Sequence, residues 1–208
     1  MKLIIFGSTG TIGKHLVKHA LAQGHAVKAF ARNPHALELK DEKLTLVTGD
    51  VFDKQAVREA VKGCEGVLIT LGSAKLTGDV RSIGTQNIVK AMEHCDVKRL
   101  VCQTTLGIGD SRKNLNFFWK YIMFGVILRA VFKDHVIQET IVKQSRLDWV
   151  IVRPAAFTDE RQVNSLQYGF LPTKSKLSLK VAREDVAKFM LKQLVSDKYL
   201  HQTPGLSN

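Results

Sequence analysis

At 208 residues the chain can bury one substantial core, and its length predicts a single domain over 1–208, with room for little more than a small cap. Hydrophobic residues at 45% and charged residues at 24% exclude a disordered or fibrous chain. The net charge of +12 raises nucleic acid as a partner, but Lys and Arg are dispersed from Lys14 and Lys18 to Lys188 and Lys192 without interleaved aromatics. That dispersion argues against a nucleic-acid surface and for a field that gathers phosphates and carboxylates. Cys64, Cys95 and Cys102 form an odd, sparse set without metal-ligand spacing, so free thiols and no metal are expected. Met1–Phe6 is too short for a signal sequence, and a cytoplasmic location is the expectation.

In chain order, Lys2–Phe6 is an apolar run that predicts a buried strand. Gly7-Ser8-Thr9-Gly10-Thr11-Ile12-Gly13 follows directly, before a helix predicted over His15–Gln23. Each glycine has its own task at such a junction. Gly7 turns the chain off the strand, Gly10 lets backbone approach a pyrophosphate, and Gly13 lets the helix pack closely on the sheet. Free N–H groups and the helix dipole then hold the anion, with the hydroxyls of Ser8, Thr9 and Thr11 as further donors. The second strand, Ala26–Ala31, ends at Arg32. An acid there would take the ribose 2′-hydroxyl of NAD(H); a guanidinium suits a 2′-phosphate, so NADP(H) is favoured over NAD(H). After a third strand, Leu44–Thr48, Asp50 is placed to accept from the adenine amino group or to cap a turn.

Lys54–Lys62 predicts a helix and Gly66–Leu71 a fourth strand, beyond which Gly72 lets backbone pass close to a cofactor. A helix over Ile83–His94 and a fifth strand, Arg99–Gln103, lead to Thr104 and Thr105, candidates to hydrogen-bond a substrate or a carboxamide. Residues 116–132 read NFFWKYIMFGVILRAVF. At about 17 residues, with Lys120 and Arg129 inside, the stretch is a poor membrane span and predicts a core helix pair or a substrate-side lid. An interfacial helix is the further alternative. A helix over His135–Gln144, a sixth buried strand over Trp149–Val152 and a last helix from near Ala182 complete the series. Apolar strands alternating with helices predict an α/β doubly wound parallel sheet, a Rossmann fold with ligands at the carboxyl ends of its strands. A small C-terminal cap is expected on the substrate side, with 106–135 and 155–180 as the substrate-side segments.

GSTGTIG, ARNP, GDV, LGS, TTLGIGD, the run from Asp148 to Pro154 and Arg183-Glu184-Asp185-Val186-Ala187 occur in one order over almost the whole chain. That order resembles the atypical short-chain dehydrogenase/reductase superfamily, and within it the NAD(P)H-binding group that contains biliverdin-IXβ reductase, also called flavin reductase. The resemblance implies a pyrophosphate site at Gly7, Ser8, Thr9, Gly10, Thr11, Ile12 and Gly13. It implies a 2′-phosphate at Arg32, although Ala36 stands where a second basic residue is expected. It places Asp50 and Val51 at the adenine, Leu71 and Gly72 near the ribose, Thr105 beside the nicotinamide, and Arg153 and Pro154 on its other side.

The wider superfamily uses a tyrosine and a lysine four residues apart; Val131 and His135 occupy those positions here, and Ala155 replaces a histidine of the biliverdin-reducing relatives. Thr105 and His135 are therefore the catalytic candidates, with His135 as a proton donor. Flavins, quinones and tetrapyrroles accept hydride into a conjugated system without a dedicated side-chain acid, so the resemblance implies an NADPH-dependent reductase of such an acceptor. The alternative is a non-catalytic NADP(H)-binding redox sensor similar to the nitrogen-metabolite repressors. Small-molecule partners are expected, and a homodimer is compatible with either reading.

Overall fold

The computed structural model describes residues 1–72, 78–160, 166–169 and 177–208. Its centre is a run of parallel strands: β1 (Lys2–Phe6), β2 (Ala26–Ala31), β3 (Leu44–Thr48), β4 (Gly66–Ile69), β5 (Arg99–Gln103) and β6 (Asp148–Pro154). They lie side by side in the order β3-β2-β1-β4-β5-β6, with Leu3 opposite Val27 on one side and Gly66 on the other. The strand order reverses between β1 and β4, which is where a doubly wound sheet opens its ligand crevice.

The apolar runs follow from cover on both faces. Successive side chains of a strand point to opposite sides. Leu3 and Ile5 pack with Leu16 and Val17 of α1 (Gly13–Ala22) and with Val186 and Met190 of α5 (Arg183–Lys192). Ile4 and Phe6 pack with Val57 and Val61 of α2 (Lys54–Val61) and with Ile88 and Met92 of α3 (Val80–His94). Val142 of α4 (Arg129–Gln144) joins the second layer. Each fully buried aliphatic side chain of β1 contributes about 1.5–3 kcal/mol. Asp53 caps α2 through its side chain, which accepts from the backbone of Gln55 and Ala56.

Three features differ from the sequence reading. β3 is half-exposed, because as the sheet edge it has a neighbour on one side only. The sheet also continues beyond β6: β10 (Gly205–Ser207) pairs parallel to it, and β8 (Gln167–Tyr168) pairs antiparallel to β10. A separate parallel pair joins β7 (Ala156–Thr158) to β9 (Lys180–Ala182). These strands of two or three residues are too short to show a period. Finally, 116–132 is not a core helix pair. A π-helix over Phe118–Ile127 runs into α4, and none of its ten residues is buried. Of the substrate-side segment expected over 155–180, residues 161–165 and 170–176 lie outside the described residues.

Candidate functional site

The β1–α1 junction is built from backbone touching backbone. Gly7 has φ of +81°, and a Cβ there would stand 2.5 Å from the carbonyl oxygen of Thr70. Gly10 N–H donates to Gly7 O at 3.0 Å, closing a tight turn. At Gly13 a Cβ would run into Gly7 O and the Ser8 backbone, so any side chain would push the helix off the loop. No acid stands in the first turn of α1, and the positive end of its dipole is left without an intrahelical counter-charge. Ser8 is fully buried, and its hydroxyl donates to Phe30 O at 3.2 Å, tying the loop to β2.

A cleft of about 970 Å³ runs from this loop across the carboxyl ends of the strands. At one end Gly7, Thr9, Gly10, Thr11 and Ile12 line it together with Arg32, Asp50, Val51, Leu71 and Gly72. Arg32 is exposed and makes no hydrogen bond or ion pair among the described residues. Asp50 lies on the cleft while its Oδ1 accepts from Phe52 N at 3.0 Å, so it also serves as a turn cap. At the other end stand Thr104, Thr105, His135 and Pro154, faced by an apolar wall of Leu115, Trp119, Phe124, Leu128, Phe157 and Leu179. The wall comes from the stretch around the π-helix and from the β7–β9 region.

Two ion-paired assemblies support the second end. In the first, Asp134 of α4 is buried and accepts from the backbone N–H of Arg81 at 3.1 Å and of Ser82 at 2.9 Å. It thus caps α3 from a different helix. The Arg81 guanidinium lies 3.5 Å from the same carboxylate; it lines the cleft, its side chain is only 10% exposed, and its Nε has no partner. Beside it, His135 Nδ1 lies 2.9 Å from Gln138 Oε1, and Gln138 Nε2 donates to Thr85 Oγ1 at 3.0 Å. Because Oε1 only accepts, this placement of the Gln138 amide goes with a proton on Nδ1 and an acceptor at Nε2. Burial, together with the Arg81 charge, pushes the His135 pKa down to about 4.

In the second assembly, Arg153 is 2% exposed and grips Glu139 with two bonds, Nε to Oε1 at 2.8 Å and Nη2 to Oε2 at 2.7 Å. Its Nη1 reaches Asp110 at 2.7 Å. Glu139 also accepts from Thr104 Oγ1 and Lys143 Nζ, both at 2.9 Å. Burial would raise the Glu139 carboxyl, but Arg153 and Lys143 bring it below its ordinary value. This network clamps α4 to the ends of β5 and β6.

The NAD(P)H-binding family profile matches residues 7–197. The chain belongs to the NAD(P)H-binding family. Among curated relatives, cinnamoyl-CoA reductase 1 of Petunia hybrida is 35% identical over 117 residues, 50% of this chain and 34% of that protein. Sterol demethylase protein B of Methylococcus capsulatus is 28% identical over 171 residues, 75% of this chain and 51% of its own. The match thus spans a third to half of these relatives' length. Solved structures agree over the whole fold. The oxidoreductase ylbE of Lactococcus lactis superposes with a TM-score of 0.84 at 21% identity, covering 100% of this chain and 91% of its own. ChuY of Escherichia coli O157:H7, described as an anaerobilin reductase, gives 0.79 at 24% identity over 99% and 96%. A short-chain dehydrogenase/reductase of Veillonella parvula in complex with NADP gives 0.83 at 15% over 100% and 94%.

A nicotinamide dinucleotide fits the family cleft on two counts. Gly10 lines it where a Cβ would stand 3.1 Å from Gly7 O, and a Cβ on Gly72 would enter open space. Measured against the expected residues, the cleft lining includes Gly7, Thr9, Gly10, Thr11, Ile12, Arg32, Asp50, Val51, Leu71, Gly72, Thr104, Thr105, His135 and Pro154. Ser8, Gly13 and Arg153 stand behind it, and their contacts are with protein. Thr104 reaches the cleft, but its hydroxyl is given to Glu139. Thr105 is half-buried, and its hydroxyl has only a long 3.4 Å bond to Leu106 O, which leaves it open to a ligand. His135 lines the cleft, with its pKa lowered to about 4 by burial and by the Arg81 charge. The sequence reading missed Arg81, Asp134 and the Glu139 clamp. Only the Glu139/Lys143 spacing was visible in one helix; the other partners meet through tertiary packing.

Proposed function

We propose that this protein is an NADPH-dependent reductase that passes hydride to a conjugated, ring-bearing acceptor of the flavin, quinone or tetrapyrrole class. The observation that carries the reading is the division of one cleft into a backbone-built phosphate end and an apolar aromatic end that holds no tyrosine among its described residues. The reduced nicotinamide, when bound, supplies the hydride, two electrons with one proton, and the acceptor's remaining proton comes from solvent.

The chain's own groups then bind and orient. Arg32 takes the 2′-phosphate that distinguishes NADPH. Residues of the Gly7–Gly13 loop hold the pyrophosphate. Thr105 Oγ1 donates to the carboxamide or to an acceptor carbonyl, and His135 Nε2 accepts from a hydroxyl or amide of the bound pair. Trp119 and Phe124 lie along the acceptor ring, and residues from 106–135, 155–160 and 177–180 form its side of the site. Arg81 faces an anionic substituent such as a phosphate or carboxylate, because this charged residue lines the cleft. The ChuY likeness supports a tetrapyrrole as one member of the class.

The test mixes purified protein and NADPH with FMN, riboflavin, biliverdin or a soluble quinone and follows the nicotinamide absorbance. Turnover with at least one acceptor is expected, faster with NADPH than with NADH. Tight NADPH binding without turnover on any acceptor would overturn the reading in favour of a redox sensor.

A further inference from the structure

The stretch from Phe117 to Ile127 departs from ordinary surface chemistry. Phe117 is 71% exposed and Val126 74%, with Phe118, Tyr121, Ile122 and Ile127 between 41% and 55%. These six lie at three-, four- and five-residue spacings along the π-helical segment, so much of them shares an outward side. The same segment turns Trp119 and Phe124 inward to the cleft. Soluble surfaces seldom gather large apolar side chains this densely unless something covers them.

Charge says what covers them. From Ser111 to Lys133 the chain carries Arg112, Lys113, Lys120, Arg129 and Lys133 and no Asp or Glu. All but Lys120 are exposed, and Lys120 is partly so. A second copy is a poor occupant: a two-fold dimer sets the same patch against itself, bringing five cations to five cations with no acid in the stretch to pair them. An acyl interior is also a poor host, because no helix among the described residues is long and apolar enough to cross a membrane. Aromatic and aliphatic side chains flanked by Lys and Arg suit the boundary layer of an anionic bilayer, where rings enter the headgroup region and cations meet phosphates.

We infer that residues 117–133 seat the protein peripherally on anionic phospholipid, with the apolar end of the cleft opening beside the lipid. Combined with the reductase reading, on which this clause alone rests, the acceptor is one that dissolves in the bilayer. The seating is tested without any acceptor, so its outcome is separate from that of the reductase reading.

The full chain is sedimented with sucrose-loaded vesicles of phosphatidylcholine alone or of phosphatidylcholine with about one-third phosphatidylglycerol. Binding to the anionic vesicles is expected to exceed binding to the neutral ones by about tenfold or more and to collapse at about 0.5 M salt. Emission of Trp119 should shift to the blue with anionic vesicles only, Trp149 being buried already. The triple variant Phe118→Ser/Ile122→Ser/Val126→Ser alters exposed side chains that do not line the cleft and should lose vesicle binding while keeping its unfolding midpoint. Lys113→Gln/Lys120→Gln/Lys133→Gln should lose the preference for anionic lipid independently. Equal binding to both vesicle types, or none at low salt, would overturn the inference. So would a concentration-dependent dimer in sedimentation velocity that the serine triple variant abolishes, since the patch would then be a self-interface.

Discussion

The two ends of the cleft are made in different ways. The phosphate end is backbone: a glycine turn, a helix start and carbonyl-to-amide contacts within ten residues of chain. The acceptor end is side chains, brought together from α3, α4, the π-helix and the strands after β6, and held by buried charge. Backbone-built sites tolerate little change of shape, whereas side-chain-built sites can be retuned one residue at a time. On the proposed reading, the acceptor end can therefore change by side-chain substitution while the backbone of the phosphate end stays as it is.

The largest effect should come from the clamp behind the acceptor end. Glu139→Leu leaves the buried Arg153 guanidinium with only the exposed Asp110 as a carboxylate partner, and breaking a buried pair from one side costs about 3–5 kcal/mol. Urea unfolding should show that loss, and a midpoint unmoved from wild type would mean the clamp does not hold α4. Next is His135. Its pKa is about 4 when folded against 6.5 as an ordinary histidine, so the unfolded chain binds the extra proton between those values. Stability is therefore full above about pH 6.5 and falls as pH drops towards 4, by about 3 kcal/mol at the limit, partly merged with carboxylate titration below about 4.5. His135→Asn should flatten the upper part of that slope, and a slope identical to wild type would break the assignment.

At the phosphate end, Gly13→Ala forces a methyl into loop backbone at a cost of about 1–3 kcal/mol, so NADPH affinity should fall about tenfold to a hundredfold in a fluorescence titration. Arg32→Ser should weaken NADPH about tenfold and leave NADH unchanged; equal loss for both would put Arg32 away from the 2′-phosphate. The smallest effect sharpens the contrast most. Arg81→Met should lower kcat/KM for FMN about threefold to tenfold, leave that for riboflavin unchanged and not alter NADPH affinity. A loss of cofactor affinity would move Arg81 to the phosphate end instead.

Legibility in the sequence followed the same division. Lys2–Phe6, the glycine loop and Arg32 are contiguous, so local chemistry alone announced a nucleotide end. All six predicted strands began and ended within two residues of β1 to β6, the sixth, Trp149–Val152, extending to Asp148–Pro154. The acceptor end was not readable in this way, because its decisive pairs lie far apart in sequence. Thr104 meets Glu139, and the backbone of Ser82 meets Asp134, only after α4 has packed on the sheet and on α3. Arg153, expected beside the cofactor, turned out to be gripped by Glu139 and Asp110, since a guanidinium this deeply buried needs carboxylates at once.

The carboxylate of Asp134 has one more consequence. Two helix starts face the cleft, α1 at the glycine loop and α3 near Arg81, and both would attract a diphosphate. Asp134 plugs the second with a negative charge of the protein's own, leaving α1 as the only unplugged socket of the two. On the reading proposed above, a dinucleotide's diphosphate is directed to α1, with the reactive ring towards the aromatic wall, because the N–H groups at the start of α3 already have their acceptor.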